Sequence, residues 1–106
     1  MNSKRIPSRP PDPVDAEGFH TRGNRYSRTG SYEAAIADYD KAIELDPNFA
    51  DAHYDRGYSF YEMGRLEEAV RDLSRALQLN PQYDRSLALR ALVYPFPHPF
   101  HPAPTP

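Results

Sequence analysis

Residues 16–49 read AEGFHTRGNRYSRTGSYEAAIADYDKAIELDPNF, and residues 50–83 read ADAHYDRGYSFYEMGRLEEAVRDLSRALQLNPQY. Laid one beneath the other at an offset of about 34 residues, they agree at Arg22-Gly23 with Arg56-Gly57, Gly30 with Gly64, Glu33 with Glu67 and Ala35 with Ala69. The match continues at Asp38 with Asp72, Ala42 with Ala76, Leu45 with Leu79 and Pro47 with Pro81. Each copy reads as helix, turn, helix, then Pro. Such a unit cannot bury its own apolar stripe, so it stacks on a copy of itself and builds a solenoid with a long open face.

Asp15 N-caps a first helix running to about Arg28, with Phe19, Gly23 and Tyr26 recurring at three- and four-residue steps. Thr29-Gly30-Ser31 stops it. A second helix, about Tyr32 to Leu45, gathers Tyr32, Ala35, Ile36, Tyr39, Ala42 and Ile43 on one stripe and leaves Glu33, Asp38, Asp40, Lys41 and Glu44 largely outside it. The second unit repeats this with Tyr54, Gly57, Tyr58, Phe60 and Tyr61, then Leu66, Ala69, Val70, Leu73, Ala76, Leu77 and Leu79. By its match to Tyr26, Phe60 belongs to the core. A fifth helix from about Arg85 to Val93, capped by Asp84 and stopped by Pro95, begins like a third repeat and acts as a terminal cap.

Small residues in register account for the packing. A mid-helix Gly costs about 1 kcal/mol against Ala, so Gly23 and Gly57 imply that a neighbouring helix crosses there too closely for a Cβ. Ala35 with Ala69, and Ala42 with Ala76, do the same on the partner helices.

Around this core lie two Pro-rich ends: a polar leader over residues 1–14, read as disordered, and an extended tail over residues 95–106 that favours polyproline II. The helical domain between them spans residues 15–94, with repeats at 16–49 and 50–83 and a cap at 84–94. Pro7-Ser8-Arg9-Pro10 and Pro99-Phe100-His101-Pro102 both match the P-x-x-P pattern that SH3-like domains read. Phe96 and Phe100 could instead fold back onto the cap helix or into the groove.

Composition narrows the function classes. The 106 residues carry a formal net charge of -2 with both signs interspersed, which argues against nucleic-acid binding. There is no Cys, hence no disulfide framework or thiolate metal site. The leader lacks the apolar run of a secretory signal and no stretch is long enough to span a membrane, so a cytoplasmic setting is expected. His98 and His101 are too few for a closed metal site, and no metal or cofactor is expected. His53 is expected at the half-buried edge of the groove. Carboxylates such as Asp38, Asp40, Glu67 and Glu68 are expected on solvent faces, without an acid and base paired in a cleft, so catalysis is not expected.

The residues Phe19, Gly23, Tyr26, Tyr32, Ala35, Tyr39, Ala42 and Asp46-Pro47, repeated as Gly57, Phe60, Leu66, Ala69, Leu73, Ala76 and Asn80-Pro81, resemble the tetratricopeptide pattern. The resemblance covers residues 16–93. It departs at His53, which stands where the first repeat has Phe19, and in having two complete repeats. The resemblance implies an all-α array whose first helices line a concave groove that holds a peptide or surface of a partner protein, a scaffolding role. The ligand-facing residues it implies are Glu17, His20, Thr21, Asn24 and Arg28 on the first helix, Asp51, Tyr54, Asp55, Tyr58 and Glu62 on the third, and Arg85, Ala88, Leu89 and Leu92 on the cap. One subset of that family grips a C-terminal carboxylate, and the matching positions here are His20, Asn24, Asp55, Arg85 and Leu89. Asp55 would repel a carboxylate and Leu89 supplies no donor, so a working clamp is not expected. A second reading is self-association into a homo-oligomer, since Leu87, Leu89, Leu92 and Val93 spread apolar surface around the cap helix.

Overall fold

The computed structural model describes residues 11–93; the expectations for the leader before residue 11, for the Pro95 stop and for the tail lie outside the described residues. Among the described residues five helices follow in order: α1 Ala16–Arg28, α2 Tyr32–Leu45, α3 Ala50–Glu62, α4 Leu66–Leu79 and α5 Asp84–Val93. Among the described residues there is no strand. The fold is an all-α solenoid of two helical hairpins and a capping helix.

The local chemistry explains the boundaries. Asp15 is extended, and its Oδ1 accepts from the Gly18 N–H at 2.8 Å, which satisfies one of the free donors at the start of α1. At the other end Gly30 takes φ +81°, its N–H donates to the Ser27 carbonyl at 3.0 Å, and the Ser31 N–H reaches back to Tyr26 at 2.9 Å. Gly64 at φ +79° repeats this after α3, with Gly64 N–H to Tyr61 and Arg65 N–H to Phe60. This paired return to the last turn requires a left-handed residue, which Gly supplies without strain. After α2 and α4 the chain turns on side chains instead: Asp46 Oδ1 accepts from Asn48 N–H, and Asn80 Oδ1 from Gln82 N–H, both at 3.1 Å. The last helix begins one residue earlier than expected. Asp84 is inside it, and the Leu87 N–H donates to the Tyr83 carbonyl at 3.2 Å.

Within each hairpin α1 packs on α2 and α3 on α4, while α2 meets α3 and α4 meets α5 in sequence. The first helices also touch, α1 to α3 and α3 to α5, so these three form one side of the array. The core is built of small side chains around two large ones: Ala35, Ala42, Ala52, Ala69 and Ala76 are fully buried, as are Tyr39 and Leu73. A Cβ at Gly23 would stand 2.7 Å from Tyr39 Cε1, and one at Gly57 would stand 3.1 Å from Asp72 Cβ and 3.2 Å from Leu73 Cδ2. The close crossings read from the glycine register are therefore present in both hairpins.

Some expectations change. Asp38 is buried, not solvent-facing, as is its repeat counterpart Asp72, because each is chelated by the arginine one helix away: Arg22 Nε and Nη2 bind Asp38 at 2.8 and 2.9 Å, and Arg56 Nε and Nη2 bind Asp72 at 2.7 Å each. The third arm of Arg22 reaches Asp12 and that of Arg56 reaches Asp40, at 3.0 and 2.8 Å. Asp12 thus ties the end of the leader onto α1. His53 is buried rather than at the groove edge, with its Nε2 bonded to the Pro47 carbonyl at 2.9 Å. Phe60 is only half-buried, with the Arg65 guanidinium over its ring at 4.9 Å from the centroid. Its counterpart Tyr26 is exposed.

Candidate functional site

The side formed by α1, α3 and α5 is hollowed into an open groove of about 580 Å³. On the α1 wall stand His20, Asn24, Ser27 and Arg28. The α3 wall presents Asp51, Tyr54, Asp55 and Tyr58, whose three- and four-residue spacing keeps them on one helical stripe. Tyr83 and Arg85 close the far end, and Tyr39 of α2 forms part of the lining. Of the groove residues expected from sequence, Thr21 is outside this lining and exposed on α1, and Glu17, Glu62, Ala88, Leu89 and Leu92 of the same helical stripes are outside it as well.

Hydrogen bonds fix most of the polar groups. His20 Nε2 lies 2.6 Å from Asp55 Oδ2, linking α1 to α3, and its ring packs 4.8 Å from Phe49. Both side chains of that pair are largely buried, at 14% and 23% exposure. The sequence reading found no acid and base paired in a cleft; this pair corrects it, since the two are 35 positions apart and only the stacking of α1 on α3 joins them. The Tyr39 hydroxyl donates to Asn24 Oδ1 at 2.6 Å, leaving the amide NH2 as the end available to a ligand. The Tyr83 hydroxyl donates to Asp51 Oδ1 at 2.6 Å. Tyr54 is stacked with Tyr83, ring centroids 5.3 Å apart, and the Arg85 guanidinium lies 4.9 Å from its centroid.

Three hydroxyls, those of Tyr39, Tyr58 and Tyr83, are held in their protonated form. Burial pushes the Tyr39 hydroxyl up, and the nearby charge of Asp55 adds to it. Burial and the hydrogen bond to Asp51 do the same for Tyr83. A hydrogen bond to Glu62 pushes Tyr58 up to about 12.

Sequence reasoning missed Ser27, Tyr39 and Tyr83 as groove residues. Tyr83 carried a usable signal, since it ends the repeat beside the cap helix. Tyr39 did not, because its apolar ring belongs to the core stripe and only its hydroxyl emerges. At the positions of the carboxylate clamp, Asp55 is bonded to His20, Arg85 lies over Tyr54 and Leu89 is buried. Among the described residues no group of three His, Cys, Asp or Glu side chains could hold a metal ion, and no helix is long and apolar enough to cross a membrane. His98 and His101 lie outside the described residues.

Models described as "TPR repeat" and "Tetratricopeptide repeat" match residues 23–64 and 50–83. The chain belongs to the tetratricopeptide-repeat family. Solved structures agree with this tetratricopeptide fold. A crystal structure of MamA is 26% identical with a TM-score of 0.75 over 76% of this chain and 47% of that one. The second tetratricopeptide domain of Spaghetti (RPAP3), bound to the HSP90 peptide SRMEEVD, is 29% identical with a TM-score of 0.73, covering 74% of this chain and 73% of that one. Its first such domain, bound to the same peptide, is 25% identical with a TM-score of 0.73, covering 74% and 63%. The present tetratricopeptide chain therefore spans about half the length of MamA. No curated protein matches it in sequence.

Proposed function

We propose that this chain is a protein-interaction module whose groove between α1, α3 and α5 receives an extended segment of a partner protein. The observation that carries the reading is the convergence of His20, Asn24, Arg28, Asp51, Tyr54, Asp55, Tyr58 and Arg85 on one open concavity. Tyrosine rings supply apolar contact area there, and the fixed amide and charges supply orientation. The two tetratricopeptide domains of Spaghetti, bound to an HSP90 peptide, support the same kind of role by analogy of fold. In this reading the module scaffolds and does not catalyse: the His20–Asp55 pair has no nucleophile hydrogen-bonded to it among the described residues. A cytoplasmic setting is part of the same proposal.

Affinity capture from native lysate tests it. Tyr58→Ala combined with Asn24→Ala is expected to lose the captured partners while circular dichroism keeps its helical signature. Unchanged recovery of every partner by a folded double variant would refute the groove assignment.

A second reading, self-association through α5, is favoured by Leu87 and Leu92, which are 51% and 65% exposed. The two readings are compatible.

A further inference from the structure

We infer that the groove selects its partner segment by a basic side chain, Lys or Arg, seated against Asp51 and Asp55 of α3; the inference rests on the reading of the groove as a peptide site. The argument begins with two kinds of aspartate in one small domain. Asp38 and Asp72 have both carboxylate oxygens taken by an arginine fork. Their charge is spent inside the fold.

Asp51 and Asp55 differ. They stand one helical turn apart in the groove lining, and each has one oxygen engaged: Asp51 Oδ1 by the Tyr83 hydroxyl, and Asp55 Oδ2 by His20 Nε2. Among the described residues no hydrogen bond reaches the second oxygen of either, and no Lys or Arg is paired with them. A phenol orients a carboxylate without neutralising it, and an imidazole does so only when protonated. The two carboxylates are thus held in position with acceptor capacity directed to a ligand cation.

The surroundings suit the same occupant. Tyr58, one turn beyond Tyr54, has an exposed ring beside the carboxylates, able to take a guanidinium or the methylene stem of a lysine. Tyr54 already holds Arg85 in this way at 4.9 Å. At this point on the α3 wall a ligand carboxylate would instead face two like charges.

The test uses fluorescence polarisation with the full chain and three labelled peptides of equal length: alternating Ala and Lys ending in an amide, alternating Ala and Glu with a free carboxylate, and alternating Ala and Ser. The Lys peptide is expected to bind at least about tenfold more tightly than the other two, the scale of a charge-assisted hydrogen bond. Asp55→Asn should weaken the Lys peptide about tenfold and strengthen the Glu peptide, whereas Glu44→Gln, an acid outside the groove, should leave both unchanged. Equal or tighter binding of the Glu peptide overturns the inference, as does equal weakening by both variants, which would mark diffuse attraction. If partner capture remains sensitive to Tyr58→Ala with Asn24→Ala while the Lys peptide shows no preference, the groove reading survives and the basic-residue inference falls. Loss of both removes both.

Discussion

The Tyr39 hydroxyl donates to Asn24 Oδ1 at 2.6 Å, so a residue whose ring is fully buried in the hairpin core orients an amide on the groove wall. Tyr39→Phe keeps the ring and removes only this hydrogen bond. The expected cost is about 1 kcal/mol in urea unfolding, the ordinary net worth of such a bond. Partner recovery should fall with it, because the freed amide can then rotate its carbonyl end into the groove. Unchanged recovery by a Tyr39→Phe variant with that stability loss would show that the Asn24 orientation is irrelevant to binding.

The two register glycines are not equivalent. A Cβ at Gly23 meets the Tyr39 ring at 2.7 and 2.9 Å, which forces the ring to move; at Gly57 the contacts are 3.1 to 3.2 Å, which asks for a shift of a few tenths of an ångström. Alanine regains about 1 kcal/mol of helix propensity in either place. Overpacking costs about 1–3 kcal/mol, so Gly23→Ala is expected to lose about 2 kcal/mol net and Gly57→Ala to come out near zero. Urea midpoints of the two variants measure the difference, and equal midpoints would contradict the geometry.

Asp72 and Arg56 should dominate the polar energetics of the second hairpin. Removing the carboxylate by Asp72→Ala leaves a guanidinium that is 22% exposed and still touches Asp40. Breaking a fully buried pair costs about 3–5 kcal/mol; access of Arg56 to solvent and its second partner bring the expectation down to about 2–3 kcal/mol. Glu44→Ala, which breaks an exposed pair with Lys41 within α2, should leave the unfolding midpoint where it is.

Most of the helical architecture was legible from the doubled register alone, since Gly30 and Gly64, the Ala positions and the paired Pro each mark a turn or a close crossing. The Arg22–Asp38 and Arg56–Asp72 pairs were hidden for a physical reason. Periodicity assigns a charged residue to the outer face, whereas a chelated carboxylate can sit inside. Their recurrence at a constant separation in both repeats was the unused signal. In the groove, spacing along each helix marked eight of the lining residues but not Ser27, Tyr39 or Tyr83, and the His20–Asp55 and Tyr83–Asp51 contacts depend on how far neighbouring helices are offset. No single-helix pattern encodes that offset. The burial of His53 is invisible to helix periodicity because its carbonyl partner, Pro47, belongs to the preceding turn.

Alkaline pH should weaken the fold through its tyrosines. A phenol whose folded pKa lies above its unfolded value of 10.0 contributes stability that is fully present below pH 10 and is lost as the pH rises through the folded value. For Tyr58 that window runs from pH 10.0 to about 12, and Tyr39 and Tyr83 shift in the same direction. Melting temperatures are expected to hold up to pH 10 and to fall beyond it, with phenolate absorbance trailing that of an unfolded reference. Glu62→Gln, which removes the charge at the far end of the Tyr58 hydrogen bond, should bring the Tyr58 titration back toward pH 10. An unaltered titration would remove Glu62 as the cause.

The α5 helix is docked by its inner face alone. Ser86, fully buried, donates from its hydroxyl to the Leu73 carbonyl at 2.7 Å, and Leu89 is buried beside Leu73 and Ala76. Leu87 and Leu92 point away from this contact and are 51% and 65% exposed, so they contribute little to holding the cap in place. In a longer solenoid the helix after α5 would cover such residues. If a second copy covers them instead, the apparent mass in light scattering should rise with concentration. Leu87→Lys with Leu92→Lys should then hold the chain at monomer mass at every concentration without changing its circular dichroism. Ser86→Ala separates packing from pairing: it should loosen α5, seen as faster amide exchange from Leu87 to Val93, with a cost of about 1 kcal/mol for the lost hydrogen bond. Monomer mass for the unaltered chain at high concentration would end the self-association reading and leave the groove on its own.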